Sequence, residues 1–268
     1  PPLTDNGIVI DGYTQKNATP ATRQSPAVIV IVIDGTSAPP PCAGLEVNSS
    51  GNTISGLAIG NFTYGISLQG SGATNNTITG NYVGTDASGT LARGNTGYGV
   101  GFEHAPRYNV IGGDEPAERN VISGNGEGVV IAHTDTMSNT ISGNYIGIDA
   151  SGTLDLGNDH FGILVNSASY STIGGDSAGG RNVISGNEDD GINLIDGANT
   201  IIKGNLIGTV ADGSAMPNGI KGICVRGESD DVVIGPDNVI AYNGRHGVEV
   251  TGSTSDNTHI TRNSIHDN

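Results

Sequence analysis

The feature that most restricts what this chain can fold into is its self-similarity. Arg119–Asn125 (RNVISGN) recurs unchanged at Arg181–Asn187 and loosely as Asp237–Asn243 (DNVIAYN). The phrase GNYIGIDASGT, beginning at Gly143, has counterparts beginning at Gly80 and Gly204, 63 residues before it and 61 after. Repeats of this kind cannot bury a core singly, so they stack into one quasi-linear unit.

A shorter unit recurs inside the long one: Gly, apolar, variable, apolar. It begins at Gly44, Gly65, Gly99, Gly128, Gly162, Gly191, Gly222 and Gly247. Alternation of that period predicts a short strand with one buried face. Each copy is followed by a second strand (such as Asn76–Thr79 or Asn139–Ser142) and then a third (Asn120–Ser123, Asn182–Ser185). The longer intervals carry extra residues either after the third strand (Thr85–Tyr98, Ile148–Phe161, Thr209–Lys221) or before it (Gly113–Arg119, Gly175–Arg181). No segment suits a crossover helix. The expected fold is therefore all-β, a parallel β-helix with three short strands per coil. About ten coils stacked about 4.8 Å apart would make a rod roughly 45–50 Å long. Residues 1–43 read as a leading segment holding the first coils, with strands at Gly7–Ile10 and Val28–Ile33, and residues 44–268 as one continuous solenoid. Ile122 is expected to lie over Ile111 or its equivalent, and the Asn of each Gly-Asn pair (Asn81, Asn125, Asn144, Asn187, Asn205) at a corner. There Asn tolerates left-handed backbone and forms ladders along the rod.

Composition narrows the partners. A net charge of −16 disfavours nucleic acid and anionic membrane surfaces. No apolar run approaches the length needed to cross a bilayer. Abundant Asn, Thr and Gly with little Lys suit an extracellular or cell-surface protein.

The spacing of NVISGN, NTISGN and GNYVGTDASGT, together with Val9–Gln15 (VIDGYTQ), resembles the right-handed parallel β-helix repeat proteins of bacterial secreted and surface polypeptides, the pectate-lyase-like superfold. The resemblance covers the whole chain and implies that fold. Its functional implication is broad, because the superfold hosts lyases, epimerases, spikes, adhesins and scaffolds.

Residues at one phase of the coil should align along the rod. The two positions before each recurrent Gly then bring Asp189, Asp190, Lys221, Arg245 and His246 to one corner over three coils. Carboxylates beside cations are what a uronate lyase, epimerase or glycosidase would use, the cation neutralising the sugar acid and a base moving a proton. A solvated corner of weakly paired charges is the competing explanation. The polygalacturonase pattern is matched only by Asp189-Asp190 and a degenerate Gly244-Arg245-His246-Gly247, and Asp159-His160 and His266-Asp267 read as isolated surface residues. The loop from Gly84 to Gly89 recurs at Gly147–Gly152, but Val210 stands where Asp86 and Asp149 would be repeated. An Asx-type turn explains those Asp residues. Any Ca²⁺ held by the acidic exterior has no localised site, and no cofactor is implied.

Cys42 and Cys224 fall six coils apart, roughly 29 Å, too far for a disulfide within one rod. They read as unrelated thiols or as a link between copies. Cys224 shares an outward column with Val130 and Leu164, which would mark a contact between chains if open to solvent. No amphipathic helix caps Gly7 or Gly247, so either the chain is an excerpt of a longer solenoid or copies stack end to end, and the first functional expectation is a non-catalytic extracellular scaffold, adhesin or filament subunit that self-associates through open coil ends. The alternative is a polysaccharide lyase, epimerase or hydrolase, with acidic carbohydrate as its partner.

Overall fold

The three-strand coil is present throughout a computed structural model that describes residues 2–252 and 255–268. Three parallel sheets form the sides of the rod, two of nine strands and one of eight. Sheet one holds the eight Gly-led phrases, from Ala43–Val47 to His246–Thr251. Sheet two runs from Val9–Asp11 to His259–Ile260, and sheet three from Ile31–Asp34 to Ser264–His266. Every strand pairs with its counterpart one coil away. Nine rungs at the usual spacing give a rod of roughly 38 Å, one coil fewer than the repeat count suggested.

The interior follows from the alternation. Sheet two contributes an unbroken column of nine isoleucines from Ile10 to Ile260, including Ile111, Ile141 and Ile173. Ile122 belongs to a different column, between Val83 and Ile146 in sheet three. It does not lie over Ile111, because the two residues are on successive strands of a single coil. These columns merge into one core running along the rod.

Each corner is sealed by asparagine. Three ladders run Asn52 to Asn139, Asn81 to Asn263 and Asn95 to Asn268, each Asn donating to the side-chain oxygen of the next. Left-handed backbone falls on the preceding glycine instead. Gly143 has φ +71° and a Cβ there would meet the Gly113 carbonyl at 1.9 Å. Asn144 itself is absent from the residues with positive φ. Glycine turns the chain and asparagine satisfies the main chain that the turn exposes.

The expected strand Val28–Ile33 is shorter, Ile31–Asp34, and Val28, Val30 and Val32 face outward. Ala27 and Ile29 are buried instead on the outer face of sheet three, against Ala58, Tyr82, Val121 and Ala150. The loops after the third strand also fold back over that face. Each closes with an antiparallel bridge (Thr85–Ala92, Ile148–Asp155, Thr209–Ala215), and Ile148 and Val210 pack with Val183.

Candidate functional site

The outer face of sheet one, unlike that of sheet three, carries no such covering bridge among the described residues. Its recurrent glycine lets the strand begin with an outward residue and then turn a side-chain-free position into a crowded corner. At Gly222 a Cβ would lie 2.5 Å from the Gly247 carbonyl oxygen and 2.6 Å from Ile240. In three coils the residue before the glycine (Tyr98, Asp190, Lys221) reaches the outer column two positions beyond that glycine. Tyr98 lies over Gly101 in this way, since a Cβ at Gly101 would be 2.3 Å from the Tyr98 ring.

The last three coils place the five expected residues in two adjoining rows, Asp190, Lys221 and His246 in one and Asp189 and Arg245 in the other. Lys221 pairs with His246 along the sheet, and the backbone joins Asp189 to Ile220 and Ile220 to Arg245. Asp190 is 4% exposed and is gripped from two sides: the Asn193 side-chain amide donates to Oδ2 at 2.6 Å, and the Lys221 main-chain N–H to Oδ1 at 3.1 Å. The Lys221 ammonium donates to the Glu249 carboxylate and to Cys224 Sγ at 3.4 Å. Asp189 turns outward to His160, with Nδ1 3.4 Å from Oδ2. Arg245 and His246 are exposed flanking groups. Nothing in the repeat marks Glu249, Asn193 and His160 as partners of these groups. Cross-coil register identifies them only once the loop lengths between Asp190, Lys221 and His246 are known.

The electrostatics assign different states to these groups. Burial pushes the Asp190 carboxyl above its usual value, against the stabilising pull of Asn193 and Lys221. Partial burial opposes the charge on Lys221, but its hydrogen bond to Glu249, together with Cys224 and Asp190, outweighs that and holds the ammonium above its ordinary pKa. The same bond draws Glu249 down. Burial pushes the Cys224 thiol up. Lys221 is thus held as a cation, whereas burial works against the charge on Asp190. A carboxyl whose folded pKa is raised is destabilising when ionised, and this cost fades as pH falls toward its unfolded value near 3.8. Asp190→Asn is expected to raise the unfolding temperature at pH 7, by a margin that shrinks toward about pH 4. Thermal melts across that range check it, and a margin independent of pH would contradict the assignment.

One buried acceptor in this network has no partner: Asn193 is 2% exposed and its Oδ1 accepts no hydrogen bond. Such an atom costs stability unless something donates to it.

The other half of the same face is aromatic. Tyr64 and Tyr98 stack at 4.4 Å, and the Tyr98 hydroxyl is 2.8 Å from Ser67 Oγ. Gln69 donates to Ser67 and Glu103, and its carbonyl lies 3.1 Å from His104 Nδ1. His104 stacks on His133 at 4.2 Å. The low aromatic count conceals this concentration, because the two tyrosines are 34 residues apart in sequence yet adjacent in the sheet.

The outward column through Cys224 is less open than its position in the repeat implies. Cys224 is 1% exposed and Val130 7%, while Leu164 is half-buried. In this arrangement the Cys224 thiol is not presented to a second chain. Cys42 is half-buried near Tyr64, and both thiols are free. Asp86 and Asp149 fold into their own loops: Asp149 accepts from Ser151 Oγ and from the N–H groups of Thr153 and Leu154, and Asp86 does the same with Ser88, Thr90 and Leu91. Among the described residues no three His, Cys, Asp or Glu side chains converge as a metal-ligand set.

No protein-family model and no curated protein matches the sequence. Solved structures do. The periplasmic alginate epimerase AlgG aligns over 83% of this chain and 47% of its own, with a TM-score of 0.58 at 16% identity. The enzymatically active domain of tailspike protein 2 from bacteriophage CBA120 aligns over 81% of this chain and 36% of its own, with a TM-score of 0.50 at 11% identity. The chain thus spans about half the length of the epimerase chain it matches. At these identities the likeness speaks to architecture. Together with three parallel sheets and one strand of each per coil, it makes this chain a right-handed parallel β-helix.

Proposed function

We propose that this protein binds an extended polysaccharide along the outer face of sheet one. Eight strands side by side offer a surface roughly 34 Å long. Sugars present hydroxyl groups and apolar ring faces, and this face answers both. The half-buried Tyr64 ring is a stacking surface backed by Tyr98, and amide, carboxylate and hydroxyl groups lie in rows beside it. The last coils add Lys221, Arg226, Arg245 and His246 to an otherwise acidic protein, which favours a sugar acid at that end. The observation that carries the reading is the accessible cluster of Lys221, Glu249, Arg245 and His246 on this face, because its cations and carboxylate match a sugar carboxylate and sugar hydroxyls. The two structural neighbours, an alginate epimerase and an enzymatically active tailspike domain, support a carbohydrate ligand.

Chemically, Lys221 would hold a uronate carboxylate or its developing charge, and Asp190 would serve as the proton carrier. The test is a panel of neutral and acidic polysaccharides (alginate, polygalacturonate, pectin, dextran) measured for binding and for turnover. An acidic member is expected to bind, with Lys221→Met and Asp190→Asn each weakening it by about tenfold. Product formation abolished by Asp190→Asn would make the protein an enzyme; binding without product would make it a lectin-like rod. A second reading, a rod acting by length and surface alone, is favoured by the internal pairing of Lys221 with Glu249. Absence of binding across the panel would select it. Either role suits a location outside the cytoplasm, and fractionation that found the protein only in cytosol would contradict both.

A further inference from the structure

A second concentration of positive charge lies away from sheet one. Residues 19–28 form a loop closed by the antiparallel bridge Thr19–Val28 and laid over the outer face of sheet three. The Tyr82 hydroxyl ties it down by donating to the Ala27 carbonyl at 3.1 Å. Its tip is a fixed turn, in which Thr22 Oγ1 accepts from the N–H groups of Gln24 and Ser25. Between tip and sheet is a cleft of about 220 Å³ lined by Arg23, Arg119, Tyr145 and Ser151 among others. Both arginines also line an adjoining depression of about 450 Å³ with Asp114, Glu115 and Ser177.

Two of the eleven Lys and Arg residues of an acidic chain therefore meet at one place. Among the described residues neither takes part in a salt bridge. The Arg119 guanidinium carbon sits over the Tyr145 ring, 4.2 Å from its centre. Its Nε is buried with no acceptor. A planar donor fork that is oriented, partly desolvated and unpaired is matched best by a carboxylate. The acidic groups of the outer depression select further: Asp114 and Glu115 repel a second anionic group and accept hydrogen bonds from hydroxyls.

We propose that this cleft binds a small polyhydroxylated carboxylic acid, with its carboxylate against Arg119 and Arg23 and its hydroxyls toward Asp114, Glu115 and Ser177. The site is separate from sheet one and does not depend on glycan binding there. Titration of the full chain with gluconate, followed by calorimetry or NMR, tests it. One saturable site is expected, with glucose, acetate and inorganic phosphate all binding more weakly. Arg119→Met and Arg23→Gln are each expected to weaken gluconate by about tenfold, and Lys221→Met to leave it unchanged. Arg23 is exposed on a surface turn, so its variant remains informative where loss of the Arg119–Tyr145 stack disturbs the fold. Gluconate that fails to saturate, that binds both arginine variants as well as the parent, that is outbound by phosphate, or that is lost in Lys221→Met would overturn the assignment.

Discussion

Ile141→Asp is expected to abolish cooperative folding. Ile141 is fully buried in the isoleucine column, between Ile111 and Ile173. The change removes a transfer free energy of roughly 1.5–3 kcal/mol and leaves a carboxylate among aliphatic side chains. Stripping water from an unpaired charge costs several kcal/mol more, through a raised pKa or an opened coil. The sum is comparable to the whole stability of an ordinary domain. Far-ultraviolet circular dichroism and soluble yield read the outcome, with Ile141→Val as the size control at about 0.5–1.5 kcal/mol. A soluble Ile141→Asp protein that melts like the parent would show that the column is not the core.

Asn144→Ala is expected to lower stability by about 2–6 kcal/mol. The Asn144 amide donates to the Ile111 and Ser142 carbonyls at 2.9 Å each and to Asn182 Oδ1 at 3.1 Å, while its own oxygen accepts from Asn120. Alanine leaves at least two of these buried groups without partners, each costing about 1–3 kcal/mol. Because each coil leans on its neighbours, the loss falls on the interfaces on both sides of the substituted rung. Denaturant midpoints measure it. A change below about 1 kcal/mol would reduce the ladder to decoration.

Most of the architecture is legible in the sequence because the core dictates the repeat. An inward position tolerates only an aliphatic side chain, so Ile recurs at the column of Ile141 in every coil, whatever the loops between do. Strand classes and loop placement follow from that recurrence. Register follows less directly: Ile111 and Ile122 look like equivalents one coil apart, yet their spacing of 11 residues carries the chain only from one side of the triangle to the next. The Gly-Asn pairs do mark corners, but Gly143 and not Asn144 takes the positive φ there.

The site residues divide along the same line. Lys221 and His246 share a phase of the coil, and phase is visible in the sequence. His160, Asn193, Glu249 and the His104–His133 stack depend on which way side chains bend from the sheet, which no repeat encodes. Cys224 shows the limit clearly. An outward position in an alternating strand predicts exposure, but Lys221 bends over it and excludes water. Arg23 and Arg119 lie 96 residues apart in unrelated motifs, and only the folding of the 19–28 loop across sheet three brings them together.

The central functional claim is that ligand lies along sheet one. An amide and side-chain NMR titration with oligosaccharides of whichever polysaccharide binds tests it most directly. The account predicts perturbations running along the outer rows from Tyr64 and Tyr98 to Asn193, Lys221 and Glu249, with sheet two silent. Perturbations centred on sheet two, or scattered over the rod without following those rows, would contradict it.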